Sequence, residues 1–242
     1  MKASSDSKPL ECPVDHVSTG VDHPFRLNHP SSSASSSTTT SSTAPATVST
    51  LQHDAINPLN NMPPPNQRPA PNQALRLETE RETSTIPMGG AQSGSNWIYP
   101  SEQMFFNAMR RKNWDAKEDD MKVIVPIHNA VNERCWKQIL EWEALHQSTC
   151  AQPKLLKFIG RPKDYTPKAR FRQLLGYKLP FDRHDWTVDR CGTKVTYVVD
   201  FYTGASGNPT DLAFYLDVRP EMSYQGVLDR LTKFWKTGTG LW

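Results

Sequence analysis

The sequence predicts an α+β domain, with helices packed on a small antiparallel β-meander behind a long disordered leader. Three observations carry this. Apolar residues recur at helical spacing in two places: Val131, Cys135, Ile139, Trp142 and Leu145 share one face, and Val227, Leu228, Leu231, Phe234 and Trp235 another. From Phe181 the period changes to short β-branched and aromatic runs separated by turns. Most of the prolines and the serine/threonine tracts lie in the first third, whereas most of the tryptophan and tyrosine lies beyond residue 96. The expected division is a leader over residues 1–85 and one folded domain over residues 86–242.

Residues 31–50 are almost wholly serine and threonine, and residues 58–71 are rich in proline and asparagine. Neither stretch can bury enough apolar surface to offset the entropy of ordering it. Order is expected from Ile86, with a turn at Met88-Gly89-Gly90 before Asn96–Pro100. Ser101 then caps a helix from Glu102 to Arg111. A β-branched run, Val123–Ile127, precedes a helix with Asn129 as its N-cap and Glu133 and Lys137 at the favourable i,i+4 spacing. His128 would sit on the N-terminal shoulder of that helix, where an imidazole can be held at a fixed angle. A histidine hydrogen-bonded into a loop fits the same position. Pro153–Arg161 reads as a strand. Thr166-Pro167 starts a short helix closed by Gly176, with Lys168, Arg170 and Arg172 as a basic cluster. Strands Trp186–Arg190, Thr193–Tyr202 and Leu212–Val218 turn at Cys191-Gly192 and Gly204–Pro209, and Ser223 opens the last helix.

The net charge of +3 fits weak attraction to anionic lipid or carboxylates and falls short of a nucleic-acid footprint. No apolar run approaches the length that spans a bilayer. The N-terminus lacks a signal-peptide pattern, which leaves an internal address open. Cys12, Cys135, Cys150 and Cys191 are widely spaced with no CxxC, arguing against both a zinc cage and a disulfide framework. Cys135, on an apolar helix face, reads as packing. GxSxG, HExxH and glycine-rich phosphate loops are all missing from the sequence. The residues near plausible pocket elements are aromatic (Trp97, Tyr99, Trp114, Trp136, Trp142, Trp186), basic (Lys168, Arg170, Arg172, Arg190) and histidine (His128, His184). A flat, apolar, dianionic macrocycle with a ligatable metal wants that mixture. A packed core with solvated charges uses the same residue types.

Four long strings go further. NWIYPSEQMFFNAM (Asn96–Met109), the IHN…NE…W…ILEWE run around His128, GYKLPFDRHDW (Gly176–Trp186) and DRCGTKVTYVVDFY (Asp189–Tyr202) occur in order without a large gap. Together they resemble the mitochondrial cytochrome c-type haem lyases, the holocytochrome c synthase family. The leader is covered only at Glu11-Cys12-Pro13-Val14-Asp15-His16, a Cys-Pro element similar to short haem-responsive motifs, with a chance dipeptide as the alternative. The resemblance implies an enzyme that joins apocytochrome c and/or c1 to haem b, ferrous and acting as co-substrate, through thioethers between the haem vinyls and the substrate's CxxCH cysteines. It implies His128 as the axial iron ligand and gives Glu133 the task of orienting either the imidazole or the apocytochrome. Trp97, Tyr99 and Asn129 would contact or flank the haem, His184 and Arg190 would support it as one second cluster, and Cys12 and Pro13 would tether it. The implied location is peripheral on the mitochondrial inner membrane, facing the intermembrane space. A non-enzymatic haem-binding chaperone or sensor would use the same pocket, and a protein whose His128 never meets iron is the third reading.

Overall fold

The computed structural model describes residues 57–60, 64–204 and 213–241. A short hairpin of β1 (Thr83–Pro87) and β2 (Asn96–Ile98) leads into α1 (Glu102–Arg111) and the long α2 (Met121–Glu143). β3 (Lys154–Gly160), α3 (Pro167–Leu174), β4 (Asp182–Arg190), β5 (Thr193–Thr203), β6 (Phe214–Pro220) and α4 (Tyr224–Thr237) complete the chain. The four later strands form one antiparallel sheet in the order β3-β4-β5-β6, so the fold class is α+β as expected.

The local signals account for most boundaries. Ser101, Thr166 and Ser223 each accept a hydrogen bond from the backbone N–H three residues on, capping α1, α3 and α4. Cys191 and Gly192 both have positive φ (47° and 98°), and Arg190 pairs with Thr193 across them. Two left-handed residues in a two-residue loop match the right-handed twist of the flanking strands. The core lies between one face of the sheet and α2, where Trp136, Ile139 and Trp142 meet Val188, Tyr197, Val199 and Val218. A second cluster joins Phe105, Phe106 and Met109 of α1 to Met121, Ile124 and Val125 of α2.

Three expectations are corrected. The β-branched run at Val123–Ile127 lies inside the helix rather than ahead of it, and α2 begins at Met121 rather than at an Asn129 cap. Met121, Ile124, Val125 and His128 are buried at helical spacing while Lys122 and Pro126 are exposed. The hydrogen bond that Pro126 cannot donate would go to the Lys122 carbonyl, on the solvent side, where water can replace it. The packed chain also starts earlier than residue 85. Leu77 is buried, Glu118 accepts from the backbone N–H of Ala74, and Ser101 Oγ donates to Gln67. This stretch builds no core of its own and is held by side chains of α1 and of the α1–α2 link, which its own composition does not reveal. Finally, Cys150 and Cys191 form a disulfide with Cα atoms 5.6 Å apart, closing 41 residues. The tip of the β4–β5 hairpin meets the turn that follows α2, a proximity that spacing along the chain does not encode. Cys135 is fully buried in the core, as packing.

Candidate functional site

A cavity of about 350 Å³, within the range of small-molecule sites, lies between the β1–β2 hairpin, α2 and the β3–β4 edge of the sheet. Its walls are aromatic and aliphatic: Trp97 and Tyr99 from the hairpin side, Phe158 and Leu155 from β3, Trp186 from β4 and Met104 from α1. Trp97 is fixed by its indole N–H, which donates to the Leu155 carbonyl (3.2 Å), and by an edge contact with Phe158 (5.2 Å between ring centroids). Trp186 Nε1 is buried and has no hydrogen-bond partner among the described residues.

His128 reaches this cavity from the second turn of α2 and is 8% exposed. The Asn132 amide nitrogen, one turn on, lies 3.4 Å from both ring nitrogens, Asn129 Oδ1 lies 3.5 Å from Nδ1, and Phe105 meets the ring edge-on. Burial pushes the imidazole pKa down to about 4; the Asn129 contact opposes this, nearby His184 adds to it, and Asp182 works against it. The ring is therefore neutral near pH 7 and keeps a lone pair for a metal. His184 lines the same cavity from β4, with Nε2 3.1 Å from Asp182 Oδ2.

The remaining residues singled out in the sequence divide into supports and absentees. Glu133 does not line the cavity. It accepts from the Tyr99 hydroxyl (2.9 Å), the Thr85 N–H (2.9 Å) and the Thr85 hydroxyl, so it holds a wall and the hairpin rather than the imidazole. Burial, and then Glu133, raise the Tyr99 pKa, keeping the phenol protonated as a donor. Asn129 does not cap the helix; its amide donates to Glu82 (2.7 Å). Arg190 is not in the cavity at all and sits in an ion-pair network at the other end of β4. Lys168 pairs with Asp217 (2.6 Å) and Arg172 lies over the Tyr177 ring, so the expected basic cluster faces elsewhere. Cys12 and Pro13 fall outside the described residues.

Sequence reasoning missed two residues that belong here. Asn132, four residues beyond His128, was legible from helical spacing once α2 is extended back to Met121. Arg81 is the one cation among the lining residues, and its guanidinium donates to the carbonyls of Tyr99 and Ile98 (2.9 Å each). It lay in the presumed leader, and nothing in the sequence pointed to it. Among the described residues no three His, Cys, Asp or Glu side chains converge as a metal cage. A buried neutral imidazole, aromatic walls and one cation suit a metal that arrives inside its own macrocycle.

A profile of the family described as cytochrome c/c1 heme lyase matches residues 1–234. The holocytochrome c-type synthase of Gallus gallus is 51% identical over 76% of this chain and 69% of the relative. That of Homo sapiens is 50% identical over 74% and 69%. The holocytochrome-c synthase of Saccharomyces cerevisiae is 41% identical over 92% and 85%. No solved structure matches the chain.

Proposed function

We propose, from the premise that this chain belongs to the cytochrome c/c1 heme lyase family and is an enzyme, that it attaches haem to apocytochrome c and/or c1 in the cavity beneath α2. The observation that carries the reading is the placement of His128: buried, neutral and facing an aromatic-walled space beside a second histidine. Haem is the substrate. It enters between Trp97, Tyr99, Phe158 and Trp186, and its iron takes the His128 imidazole. Arg81 stands where a propionate carboxylate can meet a guanidinium. The histidine of the substrate's CxxCH takes the opposite face of the iron, bringing two thiols alongside the two vinyls.

Each thiol S–H then adds across a vinyl C=C, giving a thioether with no leaving group and no net change of oxidation state. Most of the rate comes from holding two partners in register, which can contribute on the order of 7–11 kcal/mol at best. The contribution of the chain is orientation. Asn132 and Phe105 hold the imidazole, and Glu133 holds Tyr99 against the ligand space. The ferrous iron and reduced thiols that the reaction uses come from an external reductant. The work is done at the mitochondrial inner membrane, peripherally, on the intermembrane-space side. Among the described residues no helix is long and apolar enough to cross a membrane.

The test is co-expression with apocytochrome c and, separately, apocytochrome c1. Haem that stays on the cytochrome after acid–acetone extraction is the expected outcome. Haem bound to the enzyme but never transferred covalently would leave only the binding-protein reading.

A further inference from the structure

The last helix is built inside out. At helical periodicity Tyr224, Val227, Leu228, Leu231, Phe234 and Trp235 fall within one arc of about 120°. All six are exposed, Tyr224 and Trp235 to 83% and 84%. The side facing the protein is Gly226, Asp229 and Arg230. The fold locks that orientation. Asp229 pairs with Arg190 (2.8 Å) and His146 (2.9 Å), Arg230 Nε donates to the Pro220 carbonyl (3.1 Å), and a Cβ at position 226 would collide with the Glu221 carbonyl oxygen. Turning the helix over to bury its apolar arc would break every one of these contacts.

We propose that α4 docks the enzyme on an anionic bilayer, with its apolar arc lying in the boundary between headgroups and acyl chains. This deepens, and rests on, the peripheral-membrane part of the function proposed above. The single carboxylate of the helix, Asp229, is turned inward, and so is Lys233, whose ammonium lies 3.9 Å over the buried Trp142 ring; Lys236, in the last turn, is the cation of the helix that is exposed. An apolar arc carrying Trp and Tyr, with no carboxylate on the exposed side and an exposed lysine at its end, is the pattern an interfacial helix uses on anionic lipid. A second copy of the chain is a poorer occupant. The ridge is about 21 Å long and about 10 Å wide, small against the roughly 800 Å² per partner of a standard interface. The serine/threonine tract of residues 31–50 offers almost no apolar side chains to cover it.

The experiment is co-sedimentation of the full chain with vesicles of phosphatidylcholine alone and of phosphatidylcholine mixed with phosphatidylglycerol. The wild type is expected on the mixed vesicles, and Leu231→Ser/Trp235→Ser is expected to bind them about tenfold more weakly. Lys236→Glu should weaken binding less, by about threefold. Both variants should keep the circular dichroism spectrum and the vesicle-free transfer of haem to apocytochrome. Wild-type binding to the vesicles with no loss in the double variant overturns the assignment to α4 and leaves the peripheral reading standing. Loss in Leu174→Ser/Leu175→Ser instead moves the surface to α3 and also overturns it. A wild type that ignores both vesicles, but forms a dimer that the double variant abolishes, makes a second copy the occupant and removes lipid docking altogether.

Discussion

The two ends of β4 use the same strand face for opposite purposes. Asp182, His184, Trp186, Val188 and Arg190 alternate inward, all buried. Arg190 lies six residues, roughly 20 Å, from His184. At its end the charges are paired. Arg190 grips both oxygens of Glu143 (2.7 and 3.0 Å) and one of Asp229 (2.8 Å), and the Tyr197 hydroxyl donates to Glu143 (2.6 Å). At the His184 end the strand faces a hollow, shared with His128 and with the Trp186 indole, whose Nε1 has no hydrogen-bond partner among the described residues. An ion-paired polar cluster fixes the fold; polar groups lining a cavity are what a ligand can use. The resemblance had grouped His184 with Arg190, and the geometry separates them.

The largest effect should fall at the hollow end. His128→Ala is expected to lower covalent haem transfer by at least about a hundredfold, with the far-ultraviolet spectrum intact. An unchanged yield would remove His128 from the site. Arg190→Met should do the reverse, leaving Glu143 and Asp229 buried without their cation at a cost of about 3–5 kcal/mol. Urea unfolding measures that loss, while haem bound per folded molecule should stay constant; selective loss of haem would erase the contrast between the two ends. Replacing Cys150 and Cys191 with serine releases a 41-residue loop beside the Arg190 network and should cost about 2–4 kcal/mol, read in the same unfolding experiment.

A smaller effect follows pH. The His128 pKa is lower folded than unfolded, so its neutral burial contributes full stability above about 6.5, lost progressively as pH falls toward about 4. Between pH 6.5 and 5 the wild type should lose about 1.5 kcal/mol that His128→Gln does not. Parallel losses in the two proteins would mean that the ring is solvated. The smallest change is expected for Arg81→Leu: a partly exposed guanidinium facing one carboxylate contributes about 1 kcal/mol, or about fivefold in haem affinity by absorbance titration.

Much of this was legible in the chain. The caps at Ser101, Thr166 and Ser223, the Cys191-Gly192 turn and the meander after Phe181 are local signals between residues a few positions apart, and they hold in the structure. The helical burial of Met121, Ile124, Val125 and His128 was equally available, and Pro126 masked it because a proline is harmless when the carbonyl it leaves open faces water. Arg81, Glu82 and Thr85 gave no sign, since their roles are hydrogen bonds to Tyr99, Asn129 and Glu133, far along the sequence.

Local pattern alone set which residues alternate, which helices have an apolar arc, and that a histidine lies near aromatic side chains. Periodicity and capping depend on neighbours three or four positions away, and those are written in the chain. Which way each face turns was settled by the assembled fold: that His184 opens onto a hollow and Arg190 does not, that Cys150 meets Cys191, and that α4 shows its apolar arc to the outside. Those outcomes depend on partners tens of residues away, where burial of one ion pair or the absence of one Cβ outweighs the preference of the helix itself.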